Sequence, residues 1–229
     1  MDAMVGQVLS ALEKSGAAAN TRVLYTSDHG DNAGARGLWG KSNHYEEASG
    51  VPLIVAGTDI PAGKTSHTPA SLVDFYPTIV QAAGAANGHA EKLPGRSLID
   101  LANAADDPDR IAFSEYHAAG SPSGSFMIRK GRYKYIQYAG FEPELFDLES
   151  DPEETTNLAE HADYTDIIRE YDASLRGILN PEAVDAQANA AQKALIEVAG
   201  GPEAVMANLV TTKHYTPVPD EIDAELRNC

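Results

Sequence analysis

Apolar positions near the start of the chain recur at helical spacing. Met4, Val5, Val8, Leu9 and Leu12 fall on one stripe, and Gly16 follows as a helix stop. The pattern then changes to short apolar runs. Val23-Leu24-Tyr25 reads as a buried strand, and the apolar run Val51-Pro52-Leu53-Ile54-Val55 as a second strand. Ser71 to Gly84 returns to helical spacing, with Pro77 implying a kink or a fresh start at that point. Leu93 to Leu98 is a turn into another short helix. Strands are predicted at Ile111–Tyr116, Ser125–Lys130, Arg132–Tyr138 and Leu145–Leu148, with a tight hairpin turn at Lys130-Gly131-Arg132. In Tyr133–Tyr138 both faces mix ring and polar groups, so the alternation does not say which face is inside. Tyr164 to Leu179 is a helix, with Tyr164, Ile167, Ile168, Tyr171 and Leu175 on one stripe. An Ala/Gln-rich helix up to Val198, a Gly200-Gly201 break and a Pro-containing tail follow.

These elements suggest three parts. Residues 1–105 alternate helix and strand, residues 106–180 hold the small sheet and a packing helix, and residues 181–229 form a helical tail. The acidic segment around Pro108 is the boundary between the first two. No apolar run approaches the length of a membrane-spanning helix, and the first residues carry no signal-peptide pattern.

Charge narrows the partners. With 17 basic and 34 acidic residues, the net charge of −17 repels nucleic acid and anionic membrane surfaces. An anionic small molecule still binds such a chain where a metal ion and a lysine reverse the sign locally. The single cysteine, Cys229, excludes an internal disulfide. The six-residue run Tyr133–Tyr138 suggests base stacking, but against this charge a sheet core is the better reading.

The candidate chemistry lies between the first two strands. Thr26-Ser27-Asp28-His29-Gly30-Asp31 puts a carboxylate beside an imidazole where the first strand ends, the position at which open α/β sheets bind ligands. Gly30, Gly34, Gly37 and Gly40 then keep the backbone out of regular structure, and Trp39 and Lys41 close the loop. The dipeptide alone is equally explained by a turn in which Asp28 caps its own backbone. Asp31 reads as a solvated turn acid, Asp74 as part of a helix start, and His44, His67 and His117 as surface histidines. Trp39 suits a pocket wall or a core position equally.

The run SDHGDNAGARGLWGKSNHYEEASGVPLIV resembles the second signature region of the sulfatases, in the alkaline-phosphatase superfamily, and is most similar to the choline-sulfatase and phosphonate-hydrolase branch. SLVDFYPTIVQAAG, LPGRSLIDL, FSEYH, MIRKGRYKYIQY and ELFDLESDPEETTNLA are similar to later segments of that family, in the same order. The resemblance covers roughly residues 1–160. It implies an α/β fold, the carboxyl-terminal part of an alkaline-phosphatase-like sulfatase with a small antiparallel sheet and a helical tail. By resemblance, Asp28 and His29 are metal ligands for one divalent ion, Ca²⁺ or Mn²⁺ ahead of Mg²⁺. Lys41, thirteen residues after Asp28, matches the lysine that contacts the sulfate and stabilises charge during transfer. The implied substrate is a small sulfate ester, and self-association is left open. Two departures stand out. Gly50 replaces an arginine, which removes a structural salt bridge. The Cys/Ser-x-Pro-x-Arg segment that yields the formylglycine nucleophile is absent, so the chain is expected to be a carboxyl-terminal portion. The alternatives are a phosphodiesterase or phosphonate monoester hydrolase using the same ligands, and an inactive truncated subunit.

Overall fold

The computed structural model describes residues 1–85, 93–118 and 121–211. The expected Pro-containing tail and Cys229 lie outside them. Residues 1–182 form one compact unit and residues 183–229 a second.

The first unit opens with helix α1 (Asp2–Lys14), ended by Ser15 and by Gly16 in the left-handed conformation at φ +76°. Its apolar stripe is largely uncovered: no residue of α1 is buried, Met4 and Val8 are exposed, and Val5 and Leu12 are only partly covered. Strands β1 (Val23–Thr26) and β2 (Leu53–Ala56) pair antiparallel, with Val23 opposite Ala56 and Thr26 opposite Leu53. The first was expected to be buried. Instead β1 is half-buried and Leu53 and Ile54 of β2 are exposed. The cause is the sheet itself, which has two strands among the described residues and so leaves both edges and much of both faces uncovered.

Helix α3 (Phe75–Ala82) starts afresh after a single 3₁₀ turn at Leu72–Asp74. Pro77 therefore sits in its first turn, where a missing N–H costs no intrahelical bond, and no kink is needed. Asp74 belongs to this helix start, as its sequence position suggested. Its fully buried carboxylate accepts from Ser71 N (2.8 Å) and Arg96 N (2.8 Å) and pairs with Arg110 at 2.6 Å. One side chain thus ties α3 to the turn before α4 (Leu98–Asn103) and to the acidic segment around Pro108.

The best-buried part is a four-stranded antiparallel sheet in chain order, β3 (Ile111–Tyr116), β4 (Ser125–Lys130), β5 (Tyr133–Tyr138) and β6 (Glu144–Asp147). Lys130 pairs with Tyr133 across a two-residue turn that places Gly131 at φ +53°. The sheet is covered on both faces. On one, Tyr171 and Leu175 of helix α5 (Thr165–Ile178) are buried, Tyr171 Oη donates to Lys130 O at 2.6 Å, and the Tyr133 and Tyr171 rings meet edge to face. On the other, Met127, Ile136 and Phe146 form a cluster completed by Tyr45, Tyr138 and Leu148. Tyr45 comes from the glycine-rich loop, so that loop is the second cover of the sheet. The tyrosine run is sheet core, with Tyr135 and its neighbour Ile136 essentially inaccessible.

Helix α6 (Pro181–Val198) passes into the second unit, where α7 (Pro202–Thr211) follows the Gly200-Gly201 break.

Candidate active site

Asp28 and His29 directly follow β1, and Lys41 returns to them through the loop. Asn32 closes that loop: its backbone N–H donates to Gly40 O at 2.9 Å, its side-chain amide donates to the same oxygen, and the residue is buried. Asp31 Oδ1 accepts from Ala33 N at 2.9 Å, the turn role expected of it. The closure brings Lys41 Nζ into hydrogen-bond contact with His29 Nε2, while Asp28 Oδ2 lies 3.2 Å from the same nitrogen. The three predicted site residues thus converge at one point. They lie at a cavity of about 700 Å³ whose lining also includes Glu46, Arg129 and Lys134.

The electrostatics suit a cation site. His29 Nδ1 contacts Gly30 O at 2.8 Å. A carbonyl only accepts, so Nδ1 carries the proton and Nε2 presents a lone pair. That is the tautomer of a ligating imidazole with its outer nitrogen tied to a carbonyl. The adjacent His29 backbone N–H holds the Asp28 carboxyl below its ordinary pKa, so it is ionised at neutral pH. One carboxylate and one imidazole suit one side of a divalent coordination sphere. Among the described residues, no group of three or more His, Cys, Asp or Glu side chains could hold a metal.

The loop is held from beneath. Gly30 N donates to Ala48 O at 2.9 Å, and a β-carbon at Gly30 would fall 2.0 Å from Glu47 O. Only glycine permits helix α2 (Glu46–Ser49) to approach the residue next to His29 so closely. Lys134 of β5, completely buried, donates to His44 O at 2.9 Å and pairs with Glu46 at 2.6 Å and Glu154 at 2.7 Å. Glu154 Oε2 in turn accepts from Glu46 N at 2.6 Å. Tyr45 Oη donates to Glu144 at 2.9 Å, and Arg36 stacks over the Tyr45 ring 4.2 Å from its centre. Gly50, where the resemblance leads one to expect arginine, has no room for a side chain without moving Glu46, whose carbonyl a β-carbon would meet at 2.7 Å. Glu46 is paired with Lys134 instead.

Other expectations need correction. His44 is a buried residue rather than a surface one: it sits within 3.1 Å of Ser125 Oγ, and burial depresses its pKa to about 4. Trp39 is 80% exposed, neither core nor pocket wall, because closure at Asn32–Gly40 turns it outward. His117 packs edge-on against Phe126, ring centres 5.2 Å apart, and contacts Glu115 at 3.4 Å, so it belongs to the sheet. His67 is exposed, as its sequence reading had it, and lines a separate cavity of about 1080 Å³. Asn32, Lys134 and Glu154 carried no signal in the sequence as site-supporting residues.

Comparison with known proteins places this geometry. Residues 1–85 match the family Sulfatase. The chain is 36% identical over 191 residues to arylsulfatase K of Danio rerio, covering 80% of this chain and 36% of that protein. The chain belongs to the sulfatase family. It is also 39% identical over 163 residues to the choline-sulfatase of Rhizobium meliloti (strain 1021), covering 70% of this chain and 31% of that one. The phosphonate monoester hydrolase of Agrobacterium radiobacter superposes with a TM-score of 0.64 at 28% identity, over 77% of this chain and 38% of that chain. This chain thus spans about a third of the length of the sulfatases it matches, and its mixed helices and small antiparallel sheet are those of the carboxyl-terminal part of the alkaline-phosphatase-like fold.

Proposed function

We propose that this chain supplies part of the active site of a sulfuric ester hydrolase acting on a small sulfate monoester. The observation that carries the reading is the convergence of Asp28, His29 and Lys41 at one cavity in a chain of the sulfatase family. Asp28 and His29 would hold a divalent cation, Ca²⁺ or Mn²⁺ ahead of Mg²⁺. When bound, such an ion withdraws charge from a sulfate oxygen and favours an ionised nucleophile. Lys41 carries a mobile ammonium at the same point. It binds the anionic ester and stabilises negative charge as the sulfur–oxygen bond to the alcohol breaks. His29, fixed by its bond to Gly30 O, keeps its lone pair towards that point. On this reading the attacking group is a formylglycine lying in the stretch of family sequence that this chain does not span.

The phosphonate monoester hydrolase among the structural neighbours supports a second reading with the same residues and a phosphorus ester as substrate. The two are separated by comparing hydrolysis of 4-nitrophenyl sulfate and a 4-nitrophenyl phosphonate by the full-length enzyme containing this chain. A kcat/KM favouring sulfate supports the first reading, and a preference for phosphonate replaces it. No turnover of either, with metal supplied, supports a non-catalytic subunit.

A further inference from the structure

Lys134 is the largest charged side chain in the core; it borders the cavity of the site, but its ammonium bonds to none of Asp28, His29 and Lys41. Fully enclosed, it spends its ammonium on three oxygens: His44 O, Glu46 Oε1 and Glu154 Oε1. Two of the three belong to the segment that follows Lys41. Glu154 adds a second hold on that segment by accepting the Glu46 backbone N–H. Its backbone sits at φ +51°, a conformation that an L-residue adopts at a cost, and its side chain is completely buried. A buried lysine with two carboxylates is a poor source of net stability, since desolvation offsets most of the attraction. Such a cluster does fix geometry, because Lys134 or Glu154 left alone would be a buried, unpaired charge.

The geometry has a direction. Lys134 and Glu154 fix residues 44 and 46 against the four-stranded sheet. Residue 46 begins α2, whose Ala48 carbonyl accepts the Gly30 N–H, and the Gly30 carbonyl receives His29 Nδ1. Arg36 reinforces the same attachment from the loop, contacting Glu47 and the Glu153 carbonyl. We infer that Lys134, with Glu154, is a positioning residue that sets the orientation of His29 and hence the convergence of His29, Asp28 and Lys41. The chemical meaning of that orientation rests on the function proposed above, but the orientation itself is measurable without turnover.

The experiment uses the present chain. Hydrogen exchange of the Gly30 amide reads the bond to Ala48, and the ¹⁵N shifts of the His29 ring read its tautomer. Lys134→Met is expected to speed Gly30 exchange by roughly tenfold or more and to move the His29 ring towards a mixed tautomer. Glu154→Gln keeps the shape and the bond to Glu46 N, so it changes both readouts in the same direction by less. It decides the matter alone if Lys134→Met does not fold. Leu175→Ala destabilises the sheet from its opposite face and should leave Gly30 exchange within about twofold of the parent. The double variant Lys134→Met/Glu154→Gln removes the stranded charge and should recover thermal stability without recovering Gly30 protection. The inference is overturned if Lys134→Met leaves both readouts at parent values, if Leu175→Ala changes them equally, or if the double variant restores them. Failure to hydrolyse sulfate would refute the proposed function and leave these readouts untouched.

Discussion

Lys41 donates its hydrogen bond to His29 Nε2, the one nitrogen of that ring able to bind a cation. An imidazole nitrogen has a single lone pair, so it serves the lysine or a metal ion but not both at once. On the proposed function the ammonium acts as a stand-in charge at the site, which a metal ion bound there would have to displace.

Displacement has a measurable consequence. Millimolar Ca²⁺ or Mn²⁺ should scarcely raise the melting temperature of this chain, because a two-residue ligand set competes with its own lysine. Lys41→Met removes the competitor and a positive charge near a divalent ion. Even at the dielectric of bulk water that repulsion is about 2 kcal/mol for a divalent ion about 4 Å away, so Mn²⁺ affinity should rise roughly tenfold or more. Mn²⁺-induced broadening of the His29 NMR signals measures it. Unchanged affinity would mean that the lysine stands clear of the ion.

In the full-length enzyme the same lysine should matter for rate. Lys41→Ala should lower kcat by roughly 10²–10³, as removal of one group stabilising transition-state charge does elsewhere. Lys41 is exposed and holds no core contact, so the melting temperature should stay at the parent value. Single-turnover kinetics with 4-nitrophenyl sulfate separates the chemical step from binding.

How far the sequence led follows from these residues. Asp28, His29 and Lys41 were legible because their order and spacing match a family signature, and the structure brings them together. The four-stranded sheet was legible strand by strand, since its pairing is local and its turn carries Gly131. What supports the site was not legible. Lys134 looks like a surface lysine, and only Glu46 and Glu154, far apart in sequence, make its burial affordable. His44 was misjudged for the same reason: its burial depends on Ser125 and on the loop folding over the sheet. The burial expected of β1 failed because two apolar strands do not by themselves supply a layer to cover them.

His44 should give the fold an acid-sensitive component. Burial lowers its pKa from 6.5 to about 4, with the nearby Lys134 charge acting in the same direction. The unfolded chain therefore takes up a proton between these values while the folded chain does not. The stabilisation is complete above about pH 6.5 and is lost as pH falls towards about 4, in total about 3 kcal/mol. His44→Gln should flatten this part of the stability profile, read as urea unfolding free energies at pH 7 and pH 4.5. An equal slope in both proteins would place the acid sensitivity elsewhere.

Gly30→Ala tests the contact beneath the site. The new methyl would meet the Glu47 carbonyl at 2.0 Å, so either α2 or the Asp28–His29 turn must move. Overpacking of this kind costs roughly 1–3 kcal/mol. In the full-length enzyme the loss of activity should exceed what that stability change explains, because the displaced residue adjoins His29. The comparison is kcat at a temperature where both proteins remain folded.

The last prediction concerns the two sheets in this chain alone. The β1–β2 ladder has two strands, both at an edge among the described residues; Ile54 lies 59% exposed, and Met4 and Val8 of α1 are exposed as well. Strand edges and apolar faces of this kind recruit other chains. The β3–β6 sheet is sandwiched between α5 and the loop and needs no such partner. Hydrogen exchange should therefore be slow at Phe126, Ile128 and Ile136 and fast at Leu24 and Ile54. Sedimentation should show association that grows with concentration and weakens when Ile54 is changed to Lys. Mixing with the amino-terminal part of the enzyme should slow exchange at Leu24 and Ile54 and leave the four-stranded sheet unchanged. A monomer in which both sheets exchange equally slowly would show that the ladder is complete as it stands.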